Sequence, residues 1–130
     1  MVIRSETAEA VIGCAMRVHR ALGPGLLESA YQACLRQEFL HSGLTFDHQV
    51  AIPVTYRGVE LDCGYRLDFV VSEEIIVELK CVERTLPIHK AQALTYLRLT
   101  GFPQALLINF CVPVLRHGIT SVLLDPPTPK

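Results

Sequence analysis

The sequence predicts an α/β (α+β) fold, a mixed sheet flanked by helices in the order α-α-β-β-β-α-β-β. Three observations lead there. The N-terminal part carries apolar residues at helical spacing. After Gly43 the pattern shifts to the two-residue period of strands, through three successive segments. A helix of about fourteen residues then separates these from two further β-like runs. An antiparallel meander of three strands, a crossover helix and further strands require both parallel and antiparallel pairs in one sheet.

The first helix runs from about Glu6 to Leu22, with Val11, Ala15, Val18 and Leu22 along one face. Gly23-Pro24-Gly25 ends it, because proline and two glycines break a helix. The second spans about Leu26 to Ser42, with Leu27, Tyr31, Cys34 and Leu35 as the expected inward stripe. The segments "QVAIPVTY" and "VELDCGYRLDFVV" are β-like and join at Arg57-Gly58. "EEIIVELKCV" follows, rich in the β-branched residues that favour strands. "LPIHKAQALTYLRLTG" reads as a helix with Pro87 in its first turn and Gly101 at its end. "QALLINFCV" and "ITSVLLD" are the closing strands. Residues 1–124 are expected to form one domain, and 125–130, with three prolines, a loose tail.

A chain of 130 residues that is half hydrophobic and 19% charged has enough apolar material for a core, which excludes a disordered segment. No apolar run approaches the ~18–20 residues of a membrane span. The start "MVIRSETAEA" lacks a signal-peptide pattern, so a cytoplasmic location is expected. A net charge of −1 gives no broad basic footprint, which counts against tight non-specific DNA binding. Cys14, Cys34, Cys63, Cys81 and Cys111 are widely spaced with no C-x-x-C, so reduced cysteines serving as small buried hydrophobes are expected.

The segment "RLDFVVSEEIIVELK" places two acids and a lysine among apolar residues. A three-residue connection, Ser72-Glu73-Glu74, pairs Val71 with Ile75 and, continuing, Asp68 with Glu78 and Arg66 with Lys80. Alternation then puts Arg66, Asp68, Val70, Ile76, Glu78 and Lys80 on one face. Leu67, Phe69, Val71, Ile75, Val77, Leu79 and Cys81 take the other, the expected core. Opposed acids have Cβ atoms roughly 4.5–5.5 Å apart and repel one another. A hard divalent cation such as Mg²⁺ would offset that repulsion. An antiparallel hairpin with one polar face is an equally good reading of this segment alone.

Two further residues bear on the choice. Glu28 stands in the first turn of the second helix, where an acid meets the positive dipole end, and Tyr31 and Leu35 place it beside inward-facing residues. Gln92 shares a face of the later helix with His89 and Tyr96.

"GLLESAY", with Gly25, Glu28 and Tyr31, matches a GxxExxY signature. Together with "RVHRALGPGLLESAY", "YRLDFVV", "IIVELK", "HKAQALTYLRLTG" and "LLINF" in that order, the chain resembles the GxxExxY protein family of the PD-(D/E)XK nuclease-like superfamily. The resemblance implies a restriction-endonuclease-like fold and Mg²⁺-dependent phosphodiester cleavage. It implies that Asp68 is the motif acid and Glu78-Leu79-Lys80 the E-x-K element. Gln92 is similar to a glutamine on the following helix of some branches, and Glu28 to an additional acid from an early helix. The proline that precedes the motif acid elsewhere is replaced by Leu67.

On this reading Asp68, Glu78 and the Leu79 carbonyl hold Mg²⁺ (or Mn²⁺), and Glu28 binds a second ion or its water. Lys80 orients or deprotonates the attacking water, or meets the phosphate. Gln92 positions the lysine or the nucleic acid, and DNA is favoured over RNA as the partner. The competing reading is a nuclease fold that binds nucleic acid or protein without cutting. A mean hydropathy of +0.32 also suggests an exposed apolar patch and a homodimer.

Overall fold

The computed structural model describes residues 5–124. Helix α1 (Glu6–Leu22) starts on Ser5, whose side chain accepts the Ala8 N–H, and stops at Gly23, whose φ of 69° suits glycine. Helix α2 (Glu28–His41) follows. Strands β1 (Phe46–Tyr56), β2 (Val59–Val71) and β3 (Ile75–Lys80) form the meander, and α3 (Pro87–Thr100) crosses to β4 (Gln104–Asn109). A single 3-10 turn (Leu115–Gly118) leads into β5 (Ile119–Leu123). The five strands lie in the order β1-β2-β3-β4-β5, parallel only between β3 and β4. The fold is therefore α+β, with three α-helices among the described residues and the element order read from the sequence.

Each face of the sheet carries its own core. On one, α1 and α2 cover Phe69, Val71, Ile75, Val77, Leu79, Leu106 and Ile108. On the other, Ala93 and Leu97 of α3 pack on Ile52, Leu67, Val70, Ile76, Ala105 and Leu107. Burial on both faces is what makes β3 and β4 continuous apolar runs rather than alternating ones. It also corrects the expected split of the β2–β3 hairpin. The face holding Val70 and Ile76 is core as well, under α3. Leu67 joins that core and leaves Phe69 on the other side, so alternation breaks at Asp68.

Three further expectations change. The β2–β3 ladder pairs Val71 with Ile75 and reaches only Phe69–Val77, so Arg66 does not face Lys80. Arg66 pairs with Ala51 of β1 and forms a salt bridge to Asp62 at 3.3 Å. Of the expected α2 stripe, Tyr31 and Leu35 are buried and Cys34 is half-buried against the core, but Leu27 is 78% exposed, because α2 begins one residue later, and Phe39 completes the inward face.

Finally, the cysteines are not uniformly reduced and buried: Cys81 and Cys111 form a disulfide, while Cys63 is exposed. Parallel pairing sets Lys80 beside Asn109, so the residues just past the two strand ends come within a Cα separation of 5.0 Å. A separation of 30 residues hides that neighbourhood from sequence spacing. The expected tail lies outside the described residues, and among those residues no helix is long and apolar enough to cross a membrane.

Candidate active site

The acids meet where the hairpin ladder stops. Asp68 would be the next residue to pair with β3, but its N–H donates to Glu78 Oε1 at 2.9 Å. Reciprocally, the Leu79 N–H donates to Asp68 Oδ2 at 2.8 Å. Two carboxylates thus replace the carbonyls a regular ladder would supply, and the strands stay joined through their side chains. On the other flank of β2, the ladder to β1 skips the position opposite Asp68, where Gln49 takes a φ of 55°.

The second oxygen of Asp68 is fixed from α2. Gln32 Nε2 donates to Asp68 Oδ1 at 2.8 Å, and Gln32 Oε1 accepts from Gln49 Nε2 at 2.9 Å. A ring nitrogen of His48 lies 3.2 Å from the same Gln32 oxygen, and its ring stacks on Phe69. This chain orients the Gln32 amide so that its N–H₂ must face the acid.

Glu78 is only 8% exposed. Burial first, and then the Asp68 charge, push its carboxyl up to about 8, against the opposing pull of the Asp68 N–H and Lys80. Asp68 also lies above its usual range because of burial, held back by the Leu79 N–H, Lys80 and Gln32. Partial burial raises Glu28, the Asp68 charge adds to the rise, and Lys80 opposes it. Glu28, Asp68, Glu78 and Lys80 therefore share one electrostatic environment, although Glu28 hydrogen-bonds to neither of the other acids. Lys80 is half-buried at the end of β3.

The approach of Glu28 is built by the GPG loop and Tyr31. The buried Tyr31 hydroxyl donates to the Gly23 carbonyl and accepts the Leu26 N–H at 3.2 Å, and its ring stacks on Phe110 at 4.6 Å. Gly25 takes a φ of 109°, which a side chain would resist. The glycine and tyrosine of the signature thus shape the entry to α2, and the glutamate is what that entry presents.

Gln92 lies exposed on α3 and makes none of the hydrogen bonds that fix the carboxylates. One turn later, Tyr96 comes closer: burial raises its hydroxyl, and Glu78 is the next cause. His89 is used locally, its Nδ1 accepting the Leu86 N–H at the start of α3. Among the described residues, no three His, Cys, Asp or Glu side chains converge as a ready set of metal ligands.

Sequence reading missed Gln32, His48, Gln49 and Tyr96 as neighbours of the acids. Two of them carried a signal. Gln32 is four residues after Glu28 and Tyr96 four after Gln92, each on the same helix face. His48 and Gln49 carried none, since their place depends on an irregular strand.

A family model described as the PD-(D/E)XK nuclease superfamily matches residues 5–122. No curated protein matches the sequence. Among solved structures, the chain is similar to the alkaline exonuclease LHK-Exo of Laribacter hongkongensis, with 16% identity and a TM-score of 0.45, over 92% of this chain and 83% of that one.

Proposed function

Because the chain belongs to the PD-(D/E)XK nuclease superfamily, we propose that it hydrolyses phosphodiester bonds of nucleic acid, DNA before RNA, with Mg²⁺ or Mn²⁺ bound at Asp68 and Glu78. The observation that carries this reading is the buried carboxylate pair itself. Two acids joined through each other's strand amides, one with its carboxyl raised to about 8, are an arrangement that a cation would relieve.

The donor set fits a hard divalent ion. Magnesium commonly takes one or two protein carboxylates and fills its remaining positions with water and substrate phosphate, so a third converging acid is not needed. Asp68 and Glu78 would hold it, with the Leu79 carbonyl as a further donor and Glu28 reaching a bound water or a second ion. When bound, the ion supplies charge neutralisation at the phosphate and a more acidic water.

The chain's own groups do the rest. Gln32 and the Leu79 amide favour the ionised form of Asp68 against its burial and keep it aimed. Lys80, at the strand end beside the acids, orients the attacking water or meets the developing phosphate charge. Gln92, on the exposed flank of α3, meets the strand rather than the acids.

A second reading, a module that binds nucleic acid or protein without cutting, draws on one observation: both Asp68 oxygens already accept hydrogen bonds within the protein. One experiment separates the two. Purified wild-type, Glu78→Ala and Lys80→Ala proteins are incubated with single- and double-stranded DNA and RNA, with Mn²⁺, Mg²⁺ or chelator. Metal-dependent cleavage by the wild type alone is expected. Undiminished cleavage by Glu78→Ala, or none by the wild type on any substrate, overturns the nuclease reading.

A further inference from the structure

A groove of about 340 Å³ runs between the outer part of the β1–β2 arm and α3, and of its lining residues only Gln92 enters the hydrolytic reading. Val54 and Tyr65 line it from the arm, and Ile88, Gln92, Tyr96 and Leu99 from the helix. Its volume lies within the roughly 300–1,000 Å³ of small-ligand pockets. Tyr65 is 46% exposed and Ile88 61%, so the walls are aromatic and aliphatic surface left open to solvent.

The fold goes out of its way to present Tyr65. The β1–β2 register jumps between Ala51 and Pro53, so that Cys63, Gly64 and Tyr65 all bulge opposite Ile52. Gly64 sits at a φ of 80°, and its N–H is held by Asp62 Oδ1 at 2.9 Å. Bulges of this kind re-aim side chains beside functional sites. Here the bulge brings the Tyr65 ring to a centroid distance of 6.1 Å from Tyr96, at a tilt of 56°. The Tyr96 hydroxyl is raised by burial and then by the Glu78 charge, with Asp68 a smaller cause, so this wall of the groove feels the field of the acids.

We propose that this groove is a nucleobase subsite, in which one unpaired base of the substrate strand stacks on Tyr65 with Tyr96 as the second wall. The proposal rests on the hydrolytic reading and names its substrate class: a single strand or a frayed end. The lining chemistry selects a base over a phosphate. None of the groove residues is charged, and the neighbouring acids would repel a phosphate placed there. A base is uncharged, has a π-face and carries edge groups that the Gln92 amide and the Tyr96 hydroxyl are able to meet. A base in a duplex is stacked on both sides and cannot enter without leaving its helix, so paired interior positions are disfavoured.

The test is equilibrium binding by fluorescence anisotropy, without divalent metal and at low ionic strength. The probes are a labelled single-stranded oligodeoxynucleotide, a chain of equal length with an abasic stretch, and the matching blunt duplex. Wild type should bind the base-bearing strand about 5- to 100-fold more tightly than the abasic one. Tyr65→Leu should lose that preference and Tyr65→Phe should keep it. Tyr65 is exposed, so its variants spare the core. Tyr96→Leu should act in the same direction. Equal binding of the abasic chain by the wild type, or an intact preference in Tyr65→Leu, overturns the subsite. Cleavage assays on Lys80→Ala separate the two claims. Lys80-dependent cleavage without base preference removes the subsite and leaves the nuclease. Base preference without cleavage removes the nuclease and leaves the subsite.

Discussion

The two halves of the β2–β3 hairpin are built from the same strands and do opposite things. Toward the turn, Phe69–Val71 and Ile75–Val77 form a regular ladder whose side chains are buried in both cores. Toward the open end, Asp68 and Glu78 interrupt that ladder and accept strand amides with their carboxylates. In the first half burial and pairing reinforce each other. In the second they conflict, because each acid is hydrogen-bonded as an anion while burial favours the protonated form of both, with the Asp68 charge adding to the rise of Glu78. One strand pair thus holds a stabilising segment and a strained one three residues apart. The rigid half fixes where the strained half sits, which is how a site needing close like charges is kept from relaxing.

The sharpest way to break this comparison is to mutate both halves. Lys80→Ala, on the strained half, should lower turnover by about a hundred- to ten-thousandfold, with little change in melting temperature. Ile75→Ala, in the regular half and 0% exposed, should cost roughly 2–5 kcal/mol of stability. Turnover per folded molecule should then be unchanged. Urea titrations alongside single-turnover rates check both, and a Lys80→Ala protein that loses stability instead of rate contradicts the division.

The next effect in size is on pH. Glu78 moves from an ordinary 4.5 to about 8 on folding, so the folded state binds a proton that the unfolded state has released across that window. Metal-free stability should therefore fall as pH rises from about 4.5 to about 8, by a few kcal/mol at most. Asp68 and Glu28, also raised, add in the same direction. Glu78→Gln should flatten the profile, and Mn²⁺ should restore stability to the wild type at the alkaline end. Denaturant midpoints across this range, with and without Mn²⁺, measure it. A wild-type profile that rises with pH without metal would refute the buried-acid assignment.

Much of this layout was legible from local patterns. Helical periodicity gave α1 with both its ends, and the two-residue connection at Arg57-Gly58 gave the start of β2. The three-residue turn set the Val71–Ile75 register and, through it, the meeting of Asp68 with Glu78. What stayed hidden depends on contacts between distant segments. Val70 and Ile76 count as solvent-facing only until α3 is folded over them. Cys81 and Cys111 become neighbours only through the parallel β3–β4 pairing. Leu67 changes sides because the strand is irregular at Asp68, and period counting assumes regular strands. Gln32 was overlooked for a different reason: a glutamine on a half-buried helix face is ordinary until its acceptor is known.

Gln32 also provides the smallest and most discriminating prediction. Its amide is the donor to Asp68 that comes from α2 rather than from the hairpin, and Gln49 and His48 fix which way it points. Hydrogen bonds to a charged group contribute about 1.5–3 kcal/mol, part of which water would recover at this half-buried position. Gln32→Leu should therefore slow cleavage about tenfold at neutral pH. The direction of the pH effect identifies the cause. Gln32 lowers the Asp68 carboxyl, so its loss lets burial raise that group further and leaves less of the ionised acid. The deficit should shrink as pH is raised and Asp68 ionises again. A side chain that merely filled space would slow the reaction equally at every pH, so a constant tenfold loss across the profile would assign Gln32 to packing and leave the hairpin amides as the support of Asp68.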